Sequence, residues 1–276
     1  MNLDLSKALE IAKSASLQAG LEALKIYYSG EDSKIEDKSD GSPLSKADLK
    51  ANEIITQIIR ETFPNHAILS EEEVDDKKRF LAKYVWIIDP IDGTKEFLDK
   101  TGEFTINIAL VETATKRPII AAIYIPVKKE LYFAQYNNGA FLESKDEQNK
   151  TIKTKLQVSS TNKLENMTLA KSARNSRPLL EKFIKRYPPK TTKSLGSTLK
   201  ACAIAKGTID VYLRVCPYSE WDCCAMDLIV NEAGGKVTLL NGKIIEYNQE
   251  DVEVPGLLCS NNQIHNEILQ KLISLK

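Results

Sequence analysis

Residues 85–98 read VWIIDPIDGTKEFL. The apolar run Trp86-Ile87-Ile88 fits a buried strand. Pro90 has no backbone N–H to give a sheet, so the strand is expected to stop at Asp89. Asp89 and Asp92 then project from its carboxyl end, where open α/β sheets bind ligands. Two carboxylates buried side by side repel each other, and a cation relieves the repulsion. Carboxylate oxygens suit a hard ion such as Mg²⁺. Gly93-Thr94-Lys95-Glu96-Phe97 reads as the start of a short helix, whose unpaired N–H groups can receive an oxyanion. Acids for a metal beside a cradle for an anion describe a phosphate site.

Further acids lie along the chain. Glu71, in Ser70-Glu71-Glu72-Glu73, follows an expected strand at 67–70 and can supply a ligand. Asp222, after Trp221, opens a helix expected over 221–233 and serves equally well as a helix cap. Asp48 is the third-position acid of a capping box behind Ser45, at the start of a helix running to about Phe63. Helical spacing also marks 3–26, 177–186, 197–206 and 261–275. Strands are expected at 104–111, 119–126, 131–135, 140–142, 167–170, 209–214, 236–240 and 257–259, with Asn137-Asn138-Gly139 as a hairpin turn. Residues 29–43 read as loop. The first half is thus α+β and the second α/β. The polar stretch 143–155 is the best boundary, giving a metal-binding part at 1–145 and a substrate-recognition part at 146–276.

Lysine plus arginine number 38, as do aspartate plus glutamate, so the net charge is zero. That balance gives no footprint for nucleic acid, which needs a basic excess. The longest apolar stretch, 118–127, is too short to span a bilayer, and 1–26 carries charges where a signal peptide would be apolar. The five cysteines follow neither a disulfide framework nor a zinc pattern. A cytoplasmic protein with no integral membrane segment is expected; peripheral attachment at the inner face of a membrane, and monomer or homodimer, stay open.

SEEE, WIIDPIDGTKEF and WD before NEAGG together resemble the lithium-sensitive, metal-dependent phosphatases of the inositol monophosphatase superfamily. DGTKEFL followed by GEFTINIAL is similar to its 3′(2′),5′-bisphosphate nucleotidase branch. The resemblance runs from about Ser42 to Gly235. It implies a layered αβαβα sandwich of the inositol monophosphatase/fructose bisphosphatase type. By that resemblance Glu71, Asp89 and the Ile91 carbonyl hold one Mg²⁺, and Asp89, Asp92 and Asp222 a second, with room for a third. Asp48 and Thr94 orient and deprotonate the attacking water, and Glu71 helps to place it. Gly93 and Thr94 N–H groups meet the phosphate. Arg174, Ser194, Ser197, Lys200, Arg214 and Asp222 contact a small-molecule nucleotide.

The implied reaction is removal of the 3′-phosphate of adenosine 3′,5′-bisphosphate, giving AMP and phosphate, with its 5′-phosphosulfate precursor as a further substrate. An inositol or sugar phosphatase with the same metal site is the alternative, and a non-catalytic nucleotide or metal sensor the alternative of another class. The sequence departs from the family pattern twice. Arg174, in KSAR, stands where a His is usual, and Cys223, in WDCCAM, replaces a Thr. The first bears on adenosine contacts; the second bears on metal affinity and sensitivity to thiol oxidation.

Overall fold

The structure, a computed structural model, describes residues 3–29, 34–37, 43–172 and 177–275. Its first helix, α1 (Leu5–Tyr28), leads to a short antiparallel hairpin of β1 (Lys34–Asp37) and β2 (Pro43–Ser45), then to α2 (Lys46–Thr62). A seven-stranded sheet follows in chain order: β3 (Ala67–Ser70), β4 (Tyr84–Asp92), β5 (Thr105–Glu112), β6 (Arg117–Ile125), β7 (Glu130–Gln135), β8 (Ala140–Lys145) and β9 (Thr151–Lys155). Only the β3–β4 pair is parallel. The short α3 (Thr94–Leu98) lies between β4 and β5.

The second sheet has the order β11 (Thr191–Ser194), β10 (Thr168–Lys171), β12 (Val211–Arg214), β16 (Leu257–Ser260), β14 (Lys236–Leu239). The small pair β13 (Tyr218–Ser219) and β15 (Glu253–Val254) stands apart. Helices α4 (Pro178–Arg186), α5 (Leu199–Ala205), α6 (Glu220–Glu232) and α7 (His265–Ile273) complete the second half.

Three apolar clusters define the layers. Alternate residues of β4 serve two of them: Trp86 and Ile88 join α1 and α2, whereas Val85 and Ile87 join α5 and α6. That is why the opening run is apolar without a break, since both faces of the strand are covered. The α5–α6 layer also meets the second sheet through Tyr212 and Cys259, and the far face of that sheet packs Val211 and Leu258 against α4 and α7. The order is helix, sheet, helix, sheet, helix, the expected αβαβα sandwich. Asp227 of α6, fully buried, pins this central layer to β6: Arg117 grips it with both guanidinium nitrogens at 2.8 Å, and the Tyr247 hydroxyl donates to it at 2.9 Å.

The departures from the sequence reading have local causes. Residues expected as loop in 29–43 include the strands β1 and part of β2. An unanticipated strand, β9, carries the first sheet through Lys155 as its edge, with every residue exposed. Its sequence TIKTK bears no apolar face to read, and lysines on an edge discourage pairing with another chain. The exposed β11, TTKS, escaped the reading for the same reason.

On α1, Gly20 sits under the Tyr124 ring, and a Cβ there would lie 2.5 Å from two ring carbons. Alanine in place of glycine favours a helix by about 1 kcal/mol, but overpacking a core costs about 1–3 kcal/mol. Tyr124 is 4% exposed and has little room to retreat. Gly20→Ala is therefore expected to lower the melting temperature by about 2–4 °C or more in a thermal unfolding scan; an increase would mean that the α1–β6 contact is looser than described.

Candidate active site

Strand β4 does not end at Asp89. It continues to Asp92 with an irregularity: Asp89 lies opposite Asn107 and Asp92 opposite Thr105, so β4 advances three residues while β5 advances two. The extra residue is a bulge, which tolerates the missing N–H of Pro90. It also corrects the phase. In a regular strand residues three apart face opposite ways; here both acids share the face of Thr105 and Asn107. That face is the one Val85 and Ile87 turn toward α6.

The N-terminus of α6 brings Asp222 to the same place. Carboxylate oxygens of Asp89, Asp92 and Asp222 lie within 4.8 Å of one another. Glu71 joins them from the end of the parallel neighbour β3, where its N–H donates to the Ile88 carbonyl at 3.2 Å. All four line one cleft of about 300 Å³, with Ile91, Gly93 and Thr94. Asp89 is 1% exposed, and neither of its carboxylate oxygens has a hydrogen-bond partner. Burial pushes its carboxyl well above the usual range, and the charges of Glu71, Asp92, Asp222 and Asp48 push it further. Burial, then Asp92 and Glu71, raise Asp222 to about 8. A buried carboxylate without donors, ringed by like charges, is costly unless a cation compensates it. The donor set is all oxygen, which fits a hard divalent ion.

Asp48 is fully buried at the start of α2 and performs two tasks. Its Oδ2 accepts the Ser45 N–H at 2.9 Å and the Ser45 hydroxyl at 2.5 Å, closing the capping box. Its Oδ1 accepts the Thr94 hydroxyl at 3.1 Å. The same hydroxyl lies 3.3 Å from the Ile91 carbonyl. Burial raises Asp48 to about 7, against the lowering effect of Ser45. Asp222 repeats the pattern on α6, where its Oδ2 accepts the Ser219 N–H at 2.8 Å. Gly93, with φ of +92°, makes the turn between Asp92 and Thr94; a Cβ there would meet the Glu103 carbonyl at 3.0 Å.

The residues expected to grip a nucleotide divide. Arg214 lines the cleft with its guanidinium 4.4 Å over the Tyr218 ring, and its Nε is buried without a partner. Lys200 also lines the cleft but is 4% exposed, and its ammonium donates to the Leu195 carbonyl at 3.2 Å and to that of Ser197. Burial lowers its pKa to about 8. Ser197 turns its hydroxyl to Asp92 Oδ2 at 2.6 Å. Ser194 is exposed at the end of the edge strand β11 and does not line the cleft. Arg174 lies outside the described residues. Lys95, Ser172 and Tyr218 line the cleft without having been anticipated. The supports of Asp92 behind the cleft, namely Thr105, Asn107 and Thr198, were not anticipated either. Thr105 and Asn107 left one legible sign: two polar residues at a spacing of two in an otherwise apolar strand.

The profile of the inositol monophosphatase family matches residues 4–275. The chain belongs to this family. Among its relatives, the 3′(2′),5′-bisphosphate nucleotidase CysQ of Buchnera aphidicola is 35% identical over 246 residues, which is 88% of this chain and 87% of that protein. The inositol-1-monophosphatase of Bacillus subtilis is 32% identical over 273 residues, 96% of each. The crystal structure of CysQ from Bacteroides thetaiotaomicron superposes with a TM-score of 0.81 at 34% identity, covering 95% of this chain and 99% of that one. Within the family frame, Cys223 is fully buried beside Asp222, its thiol 3.5 Å from the Ser219 carbonyl and its pKa pushed far up by burial. A buried protonated thiol resists oxidation, so the sequence-based expectation of oxidation sensitivity at Cys223 is not supported.

The acids yield a pH prediction for protein stripped of metal by a chelator. Their folded pKa values are raised above the unfolded ones, so their stability contribution is full below about pH 4 and is lost as pH rises toward the folded values of about 7 for Asp48 and about 8 for Asp222. Metal-free protein is expected to melt at lower temperature at pH 8 than at pH 5, and Asp89→Asn to raise the pH 8 value while abolishing stabilisation by added Mg²⁺. A metal-free wild type indifferent to pH, or a variant still stabilised by Mg²⁺, would contradict this account.

Proposed function

We propose that the chain is a Mg²⁺-dependent phosphatase that removes the 3′-phosphate of adenosine 3′,5′-bisphosphate, yielding AMP and phosphate. The observation that carries this reading is a cleft lined by the acidic cluster together with the Arg214 guanidinium. A monophosphate needs only the acids; a second phosphate gives the Arg214 cation a partner. The relatives named as bisphosphate nucleotidases support the choice.

Glu71, Asp89, the Ile91 carbonyl, Asp92 and Asp222 would hold two Mg²⁺ ions, with a third more loosely bound. Mg²⁺ at this site supplies charge to a phosphoryl group in transfer and orients the displacement. The protein's own part is to place a proton acceptor. Thr94 donates to Asp48, so the lone pairs of its hydroxyl can receive a proton from an attacking water while its own proton passes to Asp48 Oδ1. Ser45 holds the other carboxylate oxygen and keeps Asp48 from turning away. Gly93 and Thr94 N–H groups, at the head of α3, face the transferring phosphate. Arg214 takes the 5′-group, which can be the phosphosulfate of the precursor nucleotide as well as a phosphate. Lithium is expected to inhibit.

The Bacillus subtilis relative keeps inositol monophosphate as the second reading. Phosphate release from the two substrates, measured with Mg²⁺ and with a chelator, separates them. The adenosine bisphosphate is expected to turn over with the higher kcat/KM. Arg214→Ala is expected to raise KM for it by about 10-fold or more, in line with the worth of a hydrogen bond to a charged group, and to leave slow hydrolysis of p-nitrophenyl phosphate unchanged. Faster turnover of inositol monophosphate, or equal losses on both esters, would refute the assignment.

A further inference from the structure

Asp92 is held by the opposite half of the molecule. Its Oδ2 accepts the Ser197 hydroxyl at 2.6 Å and the Thr198 hydroxyl at a still shorter contact. Each hydroxyl has one proton to give. Because Thr198 gives its proton to Asp92, its oxygen accepts the Asn107 amide N–H at 2.9 Å. Thr105 Oγ1 stands 2.9 Å from the Asn107 amide oxygen and 2.8 Å from Ser197 Oγ, with one proton for the two. The relay runs Asn107 to Thr198 to Asp92, from the first sheet into the turn before α5 and back to β4. Thr105, Asn107, Ser197 and Thr198 are all buried.

The turn is built to stay in place. Ser197 has a φ of +47°, a left-handed backbone that costs a non-glycine residue free energy and persists only when its surroundings impose it. The surroundings do so from three sides. The Lys200 ammonium grips the Ser197 carbonyl. Glu103 Oε2 accepts the Gly196 N–H at 2.7 Å. Gly93 leaves room for the Ser197 Cβ, which a side chain there would meet at 3.2 Å.

We infer that Ser197 and Thr198, with Asn107 behind them, are positioning residues for a metal ligand: they occupy Asp92 Oδ2 and so leave Oδ1 to ligate, which makes cation affinity depend on the seating of the Gly196–Lys200 turn against β5. The inference rests on the reading of Asp92 as a Mg²⁺ ligand, and it gives Ser197 and Lys200 a task other than nucleotide contact. Hydrogen-bond partners of a ligand fix its orientation, and their loss commonly weakens metal binding or activity by about 10–100-fold.

The test is calorimetric titration of Mg²⁺ into the purified wild type, Thr198→Val and Thr198→Ser, with steady-state kinetics on adenosine 3′,5′-bisphosphate alongside. Valine keeps the shape and removes the hydroxyl; serine restores it. The Mg²⁺ dissociation constant of Thr198→Val is expected to rise about 10–100-fold, with KM for the nucleotide at saturating Mg²⁺ unchanged, and Thr198→Ser is expected to recover wild-type Mg²⁺ affinity. Unchanged Mg²⁺ affinity with a raised KM, or equal losses in both, would overturn the inference. If Thr198→Val does not fold, Ser197→Ala decides: weaker Mg²⁺ binding supports the inference and unaltered binding overturns it. A wild type that takes up Mg²⁺ but does not hydrolyse the nucleotide refutes only the substrate assignment, since the Mg²⁺ titration stands without it. A wild type that takes up no Mg²⁺ overturns both.

Discussion

One extra residue in β4 governs this site. Side chains of a strand alternate, so Asp89 and Asp92 would point to opposite faces of the sheet in a regular ladder. The bulge across Pro90 and Ile91 returns them to one face, the face where α6 ends and where Thr105 and Asn107 project. Ile91, displaced by the same bulge, drops into the core beneath α1 and α2. Its carbonyl stays near the Thr94 hydroxyl. The proline that argues against a continuing strand is thus part of the device that makes the strand's end useful.

Helix caps and the acidic site share residues here. Asp48 and Asp222 are both third-position acids that accept the N–H of a serine before their helix. A cap fixes one carboxylate oxygen and leaves the other to act, on Thr94 for Asp48 and in the acidic cluster for Asp222. At both positions, then, closing a cap does not remove the acid from the site. The arrangement also has a cost. Several acids sit in one cleft, Asp89 wholly without hydrogen-bond donors, and burial moves Asp48 and Asp222 toward neutrality. Such a site is destabilising until a cation compensates it, which couples ligand binding to the stability of the fold.

The two sheets meet through this chemistry as much as through apolar packing. The central helix α6 presents Asp222 at one end and anchors Asp227 on Arg117 further along. The turn before α5 reaches across to Asp92 and Asn107. At the Asp222 end of α6, Glu220 accepts the N–H groups of Asn248 and Gln249, while buried Arg79 holds Asn248 from the segment that follows Glu71. Elements carrying Glu71, Asp92 and Asp222 are thereby tied to one another by buried polar bonds, so the cluster is set by the packing of the halves.

The sequence by itself determined the acids. Hydrophobic periodicity located most helices and core strands, and the abrupt change from apolar run to Asp-Pro-Ile-Asp-Gly-Thr marked a strand end loaded with carboxylates. The motif order carried the family and the layered fold. What it could not convey was anything set by atoms distant in the chain. Edge strands such as TIKTK have no buried face and so no pattern. The hydroxyls of Ser197 and Thr198 look the same in sequence whether they face a nucleotide or a carboxylate, and only the register of β5 against the turn before α5 turned them to Asp92. The same holds for Lys200, whose charge suggested a substrate and whose burial committed it to two carbonyls. Local composition fixes which groups are present; the direction each one faces depends on long-range packing, and that direction separates a residue that binds substrate from one that holds the binder in place.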